Sequence, residues 1–275
     1  MKILVIGASG MLAKPVITHL DKAGFDLRLF SRSVNASMFY KDFDIVQGDV
    51  FSIMHLEKAI DGCDAIHISI SNPDEGKAVE EIVKVSLQKG IKLISMISGC
   101  TVSEENRWFW MIDNKFRAEQ AIINSGISYM IFRPTWFFES LELMIRNGKA
   151  NLLGKQPNPS HWVAADDYAR MVVEAYKKQE ARDKIFYILG PQPYLMKDLL
   201  EQYCKACHPE IKKVTQTPLG LLKFIALINR NKALKTVAEM FGYFQKTKEM
   251  GNPDEANALL GKPEINFGKW MMLKE

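Results

Sequence analysis

The sequence predicts an α/β fold, a doubly wound parallel sheet with a small, mostly helical C-terminal substrate lobe. Three observations carry that expectation. Residues 1–6 form a short apolar run in which Ile3, Val5 and Ile6 are β-branched, the composition of a strand buried on both faces. A glycine turn and a helical pattern through Leu20 follow at once. Further apolar runs then alternate with helical stretches up to about residue 135, the rhythm of βαβ units.

The remaining elements follow from local signals. Residues 25–30 alternate into a second strand after the helix stop Ala23-Gly24, and Asp44–Gln47 makes a third. Residues 52–60 read as a helix, 65–70 as a fourth strand, 77–89 as a helix closed by Gly90, and 91–97 as a fifth strand. An amphipathic helix over 115–124 leads into a sixth strand at 127–132. Beyond it the pattern predicts a helix at 140–147, a loop at 148–159, a helix at Ala165–Lys177 and a short seventh strand at Lys184–Ile188. Helices separated by prolines and glycines dominate from Leu195 onward. The whole reads as one domain, with its core in residues 1–135 and a lobe in 136–275 that returns some elements to the core.

The turn after the first strand is Gly7-Ala8-Ser9-Gly10-Met11-Leu12-Ala13. A strand, a glycine turn and a helix aim backbone N–H groups and a positive helix end at a phosphate. Gly7 permits the tight turn, Gly10 lets a pyrophosphate approach the backbone, and Ala13 allows close helix packing. These features describe a Rossmann dinucleotide site, in which Gly7, Ser9, Gly10, Met11 and Leu12 contact the cofactor. An NAD site places an acid near the end of the second strand to receive the ribose 2′-hydroxyl. Here that place reads Ser31-Arg32-Ser33, and a guanidinium flanked by hydroxyls suits a 2′-phosphate. The expected cofactor is therefore NADP(H). Ligands of such sheets lie beyond the carboxyl ends of the strands, which adds Asp49, Val50, Ser69 and Ser98 to the same rim.

Composition restricts the function classes. The net charge of +4 is mild and the sequence shows no basic cluster, so nucleic acid is not an expected partner. The longest apolar stretch near the C-terminus, 219–228, is broken by Lys223 and too short to span a bilayer. A core strand at the outset leaves no place for a leader peptide, and the expected compartment is the cytoplasm. Four cysteines at 63, 100, 204 and 207 do not form a disulfide framework there. Cys204-x-x-Cys207-His208 matches a haem-attachment pattern, but it ends an amphipathic helix and lacks further metal ligands. No metal is expected.

The landmarks resemble the short-chain dehydrogenase/reductase superfamily, and in particular its atypical, NmrA-like branch with isoflavone-reductase-like enzymes. The matching pieces are GASGMLAKPVITHL, LFSRS, GDV, DGCDAIH, IKLISMISG, KFRAEQAIINSGISYMIFRPTWF, VAADDYARMVVEAY and ALLGKPEINF. The resemblance implies that Arg32 holds the adenosine phosphate, that Asp49 meets the adenine edge and that Lys115 hydrogen-bonds the nicotinamide ribose. Ser98 falls where the family places its active-site serine. The family's proton-donating tyrosine stands four residues before the lysine, and here that position is Met111, which cannot donate.

Three expectations follow. Lys115 itself is the acid, with Ser98 beside it; or Asp113 or Tyr168 replaces the missing phenol; or the chain binds the dinucleotide without chemistry. The first makes the protein an NADPH-dependent oxidoreductase of a small planar organic acceptor, stacked by Trp108-Phe109-Trp110, Trp136-Phe137-Phe138 or Trp162. The alternative is a redox-sensing regulatory protein with a protein partner. A homodimer stays open under both.

Overall fold

Seven parallel strands form one sheet in the computed structural model, which describes residues 1–274. In chain order they are β1 (Lys2–Ile6), β2 (Asp26–Ser31), β3 (Asp44–Gln47), β4 (Ala65–Ile68), β5 (Leu93–Ile97), β6 (Ser128–Pro134) and β7 (Lys184–Ile188). Their order across the sheet is β3-β2-β1-β4-β5-β6-β7. The central strand β1 pairs with β2 on one side, Ile3 opposite Leu27, and with β4 on the other, Ile3 opposite Ala65. The chain reverses its direction of travel across the sheet between β1 and β4, so a crevice opens at the carboxyl ends of those strands. Residues 3–6 are fully buried, as a strand covered by helices on both faces must be.

The helices are α1 (Ala13–Lys22), α2 (Ile53–Ile60), α3 (Glu75–Lys89), α4 (Trp110–Ile123) and α5 (Ala165–Lys177). Ser52 caps α2 by accepting from the His55 N–H, and Gly90, at φ +69°, closes α3. One apolar cluster under the sheet joins Leu4, Ile6, Phe30, Leu56, Ile66, Ile82, Ile94 and Ile122. Helix α4 begins at Trp110, five residues before the expected start, and so carries Met111 and Lys115 on successive turns of one face.

The chain divides into two compact units. The first holds residues 1–134, Ala165–Ile188 and Gly251–Pro263, and contains the whole seven-stranded sheet. The second holds Thr135–Ala164, Leu189–Met250 and the residues from Glu264 onward. Its core gathers Phe138, Leu152, Trp162, Leu200, Tyr203 and Trp270. Two expectations fail inside it. The segment predicted as a helix at 140–147 is a 3₁₀ stretch, Phe138–Met144, followed by a two-residue strand, Ile145–Arg146. The segment predicted as a loop at 148–159 contains the strand Lys149–Leu153, which pairs antiparallel with Ile145–Arg146 and parallel with Thr215–Thr217. Asn147 and Gly148, both with positive φ (51° and 69°), make the two-residue turn between them.

Among the described residues no helix is long and apolar enough to cross a membrane. All four cysteines are free thiols.

Candidate functional site

The β1–α1 turn is built so that only glycine fits at its start. Gly7 sits at φ +84°, and a Cβ there would fall 2.1 Å from the Ser69 carbonyl oxygen at the end of β4. The Gly7 and Ala8 N–H groups donate to the Phe30 carbonyl at 2.8 and 3.2 Å, which ties the turn to β2. Gly10 donates to the Gly7 carbonyl at 2.9 Å, and a Cβ on Gly10 would lie 3.1 Å from that oxygen. Backbone packing therefore requires glycine at position 7 even before any ligand is considered, whereas at position 10 a Cβ would have to push the Gly7 carbonyl aside by a few tenths of an ångström.

Helix α1 starts with no side-chain cap: Leu12 stands at the cap position and the first turn contains no acid. A helix start leaves unpaired N–H groups and a partial positive charge, which an anion satisfies. Met11, exposed, and Leu12 border this end without polar groups that would compete for it. Ser9 links it to β2, since its hydroxyl accepts from Ser31 at 3.0 Å and from Ser33 at 3.1 Å. Arg32 lies between these two serines, exposed, and among the described residues no acceptor holds its guanidinium. Three hydroxyls and a free guanidinium beside an uncapped helix fit a phosphate-rich nucleotide.

The neighbouring strand ends complete the rim. Ser69 donates its N–H to the Ile6 carbonyl at 2.9 Å. The Asp49 carboxylate accepts from the Phe51 N–H at 3.1 Å, and its own N–H donates to His55 Nδ1 at 3.2 Å. Asp49 is thus part of a local turn as well as a candidate adenine contact. Val50 packs its side chain against the core.

The residues expected to do chemistry are engaged by two carboxylates that sequence reasoning did not single out as functional. Lys115 Nζ lies 3.0 and 3.2 Å from the two oxygens of Glu75, which stands in the first turn of α3 and is 2% exposed. Burial pushes the Glu75 carboxyl up from its ordinary value, the Lys115 charge and hydrogen bonds oppose that, and the nearby Glu119 charge adds to it. Ser98 donates a short hydrogen bond to Glu119, which is fully buried. Glu119 is clamped by Arg133, whose Nε lies 3.0 Å away and whose second nitrogen binds the other oxygen. Arg133 also donates to the Tyr187 hydroxyl at 2.6 Å. Burial works against the Arg133 charge, but the hydrogen bonds and charge of Glu119 outweigh it and raise the guanidinium further above its usual range. The signals that could have found these carboxylates are their positions: Glu119 lies one turn beyond Lys115, and Glu75 is the one charged residue on the buried side of its helix.

Both alternative donors are held elsewhere. Asp113 is tied to Arg107, Nε to Oδ1 at 2.7 Å. Tyr168 is fully buried with its ring edge-on to Phe132, and burial pushes its phenol well above the ordinary value. The aromatic clusters separate in the same way. Trp108 is exposed, whereas Phe138 and Trp162 are fully buried and stacked in the core of the second unit, so they serve packing there.

Known proteins resemble this chain in sequence and in fold. The sequence profile of the NAD(P)H-binding family matches residues 7–179. The chain is 23% identical to the photosystem II assembly factor Ycf39 of Cyanophora paradoxa, over 81% of this chain and 74% of that one. It is 24% identical to festuclavine dehydrogenase of Aspergillus fumigatus, over 70% of this chain and 69% of that one. The Citrobacter sp. triphenylmethane reductase complexed with NADP(H) superposes with a TM-score of 0.77 at 19% identity, covering all of both chains, which is a likeness of fold. The resemblance drawn from the sequence thus holds at the level of the family and of the fold. The glycine turn, the uncapped helix and the matched profile over more than half of its length make this chain a member of the NAD(P)H-binding family.

Proposed function

We propose that the protein is an NADPH-dependent oxidoreductase that reduces a small, planar organic acceptor. Preference for the 2′-phosphorylated cofactor rests on one observation: Arg32 stands unpaired between Ser31 and Ser33, both hydrogen-bonded to Ser9, at the strand end where an NAD site would carry an acid. Bound NADPH would supply the hydride. The chain's own part is to bind and orient. The glycine turn and α1 receive the diphosphate, Arg32 with Ser9 grips the third phosphate, and Lys115 anchors the nicotinamide ribose while keeping its contact with Glu75.

Lys115 and Ser98 enter this scheme as positioning groups. The Ser98 hydroxyl gives its one proton to Glu119, and Glu75 takes two of the three Lys115 donors, which leaves one ammonium proton to face the ribose or the acceptor. An acceptor that takes hydride without needing a proton from the protein, such as a quinone or a cationic dye, matches that arrangement. A cytoplasmic setting fits the four reduced thiols. Turnover of NADPH by purified protein with a panel of quinones, azo dyes and triphenylmethane dyes tests the proposal. Steady oxidation with any of them supports it; protein that binds NADPH and oxidises it with none ends it.

A second reading draws on the assembly-factor relatives and on the same engaged side chains: a dinucleotide-responsive protein that performs no reaction. It requires a difference in affinity between NADP and NADPH and a protein partner, measured by calorimetry and by pull-down with each nucleotide present.

A further inference from the structure

We infer that the helical hairpin of residues 219–246 seats this protein on an anionic membrane surface. The first helix, Leu219–Ile228, buries Leu222 and Ala226 and packs Leu219 partly against the core of the second unit. Leu221, Phe224, Ile225, Leu227 and Ile228 are exposed, Leu227 at 76% and Ile228 at 63%. At 100° per residue these five cover nearly half of the helix circumference on the side away from Leu222 and Ala226. A contiguous apolar face of that kind on one short helix marks a contact surface.

Charge indicates what covers it. From Lys212 to Ala238 the chain carries Lys212, Lys213, Lys223, Arg230, Lys232 and Lys235, all exposed, and no Asp or Glu. These six cations exceed the net charge of the entire chain, +4, so the remainder is slightly acidic. The turn between the helices fixes several of them next to the apolar face. Arg230 adopts a left-handed φ of 48°, and the Asn231 side chain accepts from the Leu234 N–H at 3.0 Å to start the second helix, Lys232–Lys246. Exposed apolar side chains with Lys223 on the same helix and Arg230 and Lys232 at the turn that follows, Lys235 beyond them being paired with Glu239, combine the two attractions of an interfacial helix, acyl-chain burial and headgroup charge. Ten residues are too few to span a bilayer but sufficient to lie in its surface.

Other occupants fit less well. A two-fold pairing of this face with its own copy would bring like cations together. A protein groove that reads the row Leu221, Phe224, Ile225 and Ile228 would leave Leu227, the most exposed of the five, in water. A planar apolar phase accepts all five.

Co-sedimentation of the full chain with vesicles tests the proposal. One set is phosphatidylcholine alone and the other is phosphatidylcholine mixed with phosphatidylglycerol. The protein is expected to favour the anionic vesicles by at least about tenfold, each cation near the surface contributing roughly fivefold at most, and to be released by high salt. The Phe224→Ser/Leu227→Ser variant changes only exposed side chains. It is expected to lose at least about tenfold in partitioning with its melting temperature and NADPH binding unchanged. An Arg230→Ala/Lys232→Ala/Lys235→Ala variant should lose the preference for anionic over neutral vesicles. Wild-type protein that stays in solution with both vesicle sets overturns the proposal, as does equal binding to both or full binding by the Phe224→Ser/Leu227→Ser variant. A dimer or a complex with a soluble protein that forms without lipid and disappears in that variant also overturns it.

Discussion

The two ends of the sheet rim are built on opposite principles. Beyond β1 and β2 lie an uncapped helix start, a guanidinium that no acceptor among the described residues holds, and three serine hydroxyls bonded only to one another, Ser31 and Ser33 both donating to Ser9. Beyond β5 and β6 every functional side chain is already engaged, Lys115 with Glu75, and Ser98 and Arg133 with Glu119. An unpaired guanidinium and an uncapped helix start can receive an anion directly, and the serine hydroxyls need only rotate to join them. A paired set holds its geometry but must share a partner in order to act. In the proposed function the first end recognises and the second end positions.

The largest expected effect of breaking this contrast is at Glu119. Glu119→Ala strands the Arg133 guanidinium, 12% exposed, without its carboxylate and should cost about 4 kcal/mol of stability, read from chemical denaturation. Next is acid. His67 in β4 is fully buried beside Ser95, and burial holds its pKa down to about 4 from 6.5. The folded state therefore keeps His67 neutral while the unfolded chain takes up a proton. Stability should be complete above pH 6.5 and fall by about 3 kcal/mol on the way down to pH 4. Denaturation midpoints across that window check this, and His67→Gln should flatten the slope. At the open end, Arg32→Glu should weaken NADPH binding by about 2 kcal/mol, roughly thirtyfold, and shift preference toward NAD. Fluorescence titration with both nucleotides reads it, and an unchanged NADPH affinity would remove Arg32 from the phosphate site. The smallest effect is expected at Glu75→Gln, about 1 kcal/mol of stability, because the Lys115 stem is flexible and can carry its ammonium to water where Arg133 cannot.

The open end was legible in the sequence for the same reason that it is open. Its donors belong to a contiguous turn, Gly7 to Leu12, and to one tripeptide, Ser31 to Ser33, so spacing alone reveals them. The engaged end was less legible. Glu75 and Lys115 meet across 40 residues, and a glutamate on an amphipathic helix gives no sign that it points inward. The sheet was read almost whole, with Ala165–Lys177 and Lys184–Ile188 at their observed bounds, because parallel strands and their crossover helices are written as local periodicity. The second unit defeated the same approach where its pairing is long-range. Lys149–Leu153 pairs with Thr215–Thr217, more than sixty residues away, and no local pattern encodes such a partner. The Asn147-Gly148 hairpin was legible in principle, since that dipeptide between apolar residues signals a two-residue turn, but Leu141, Leu143 and Met144 gave the segment a helical look.

The position of β7 bears on how the protein is made. Six strands are complete once residue 134 has been synthesised, yet the seventh begins only at Lys184, fifty residues later. Until the ribosome delivers it, β6 is a bare hydrogen-bonding edge on an apolar sheet, the kind of surface that recruits other nascent chains. A truncation ending near residue 164 makes that interval permanent and should yield aggregates, whereas one that retains Ile188 closes the edge.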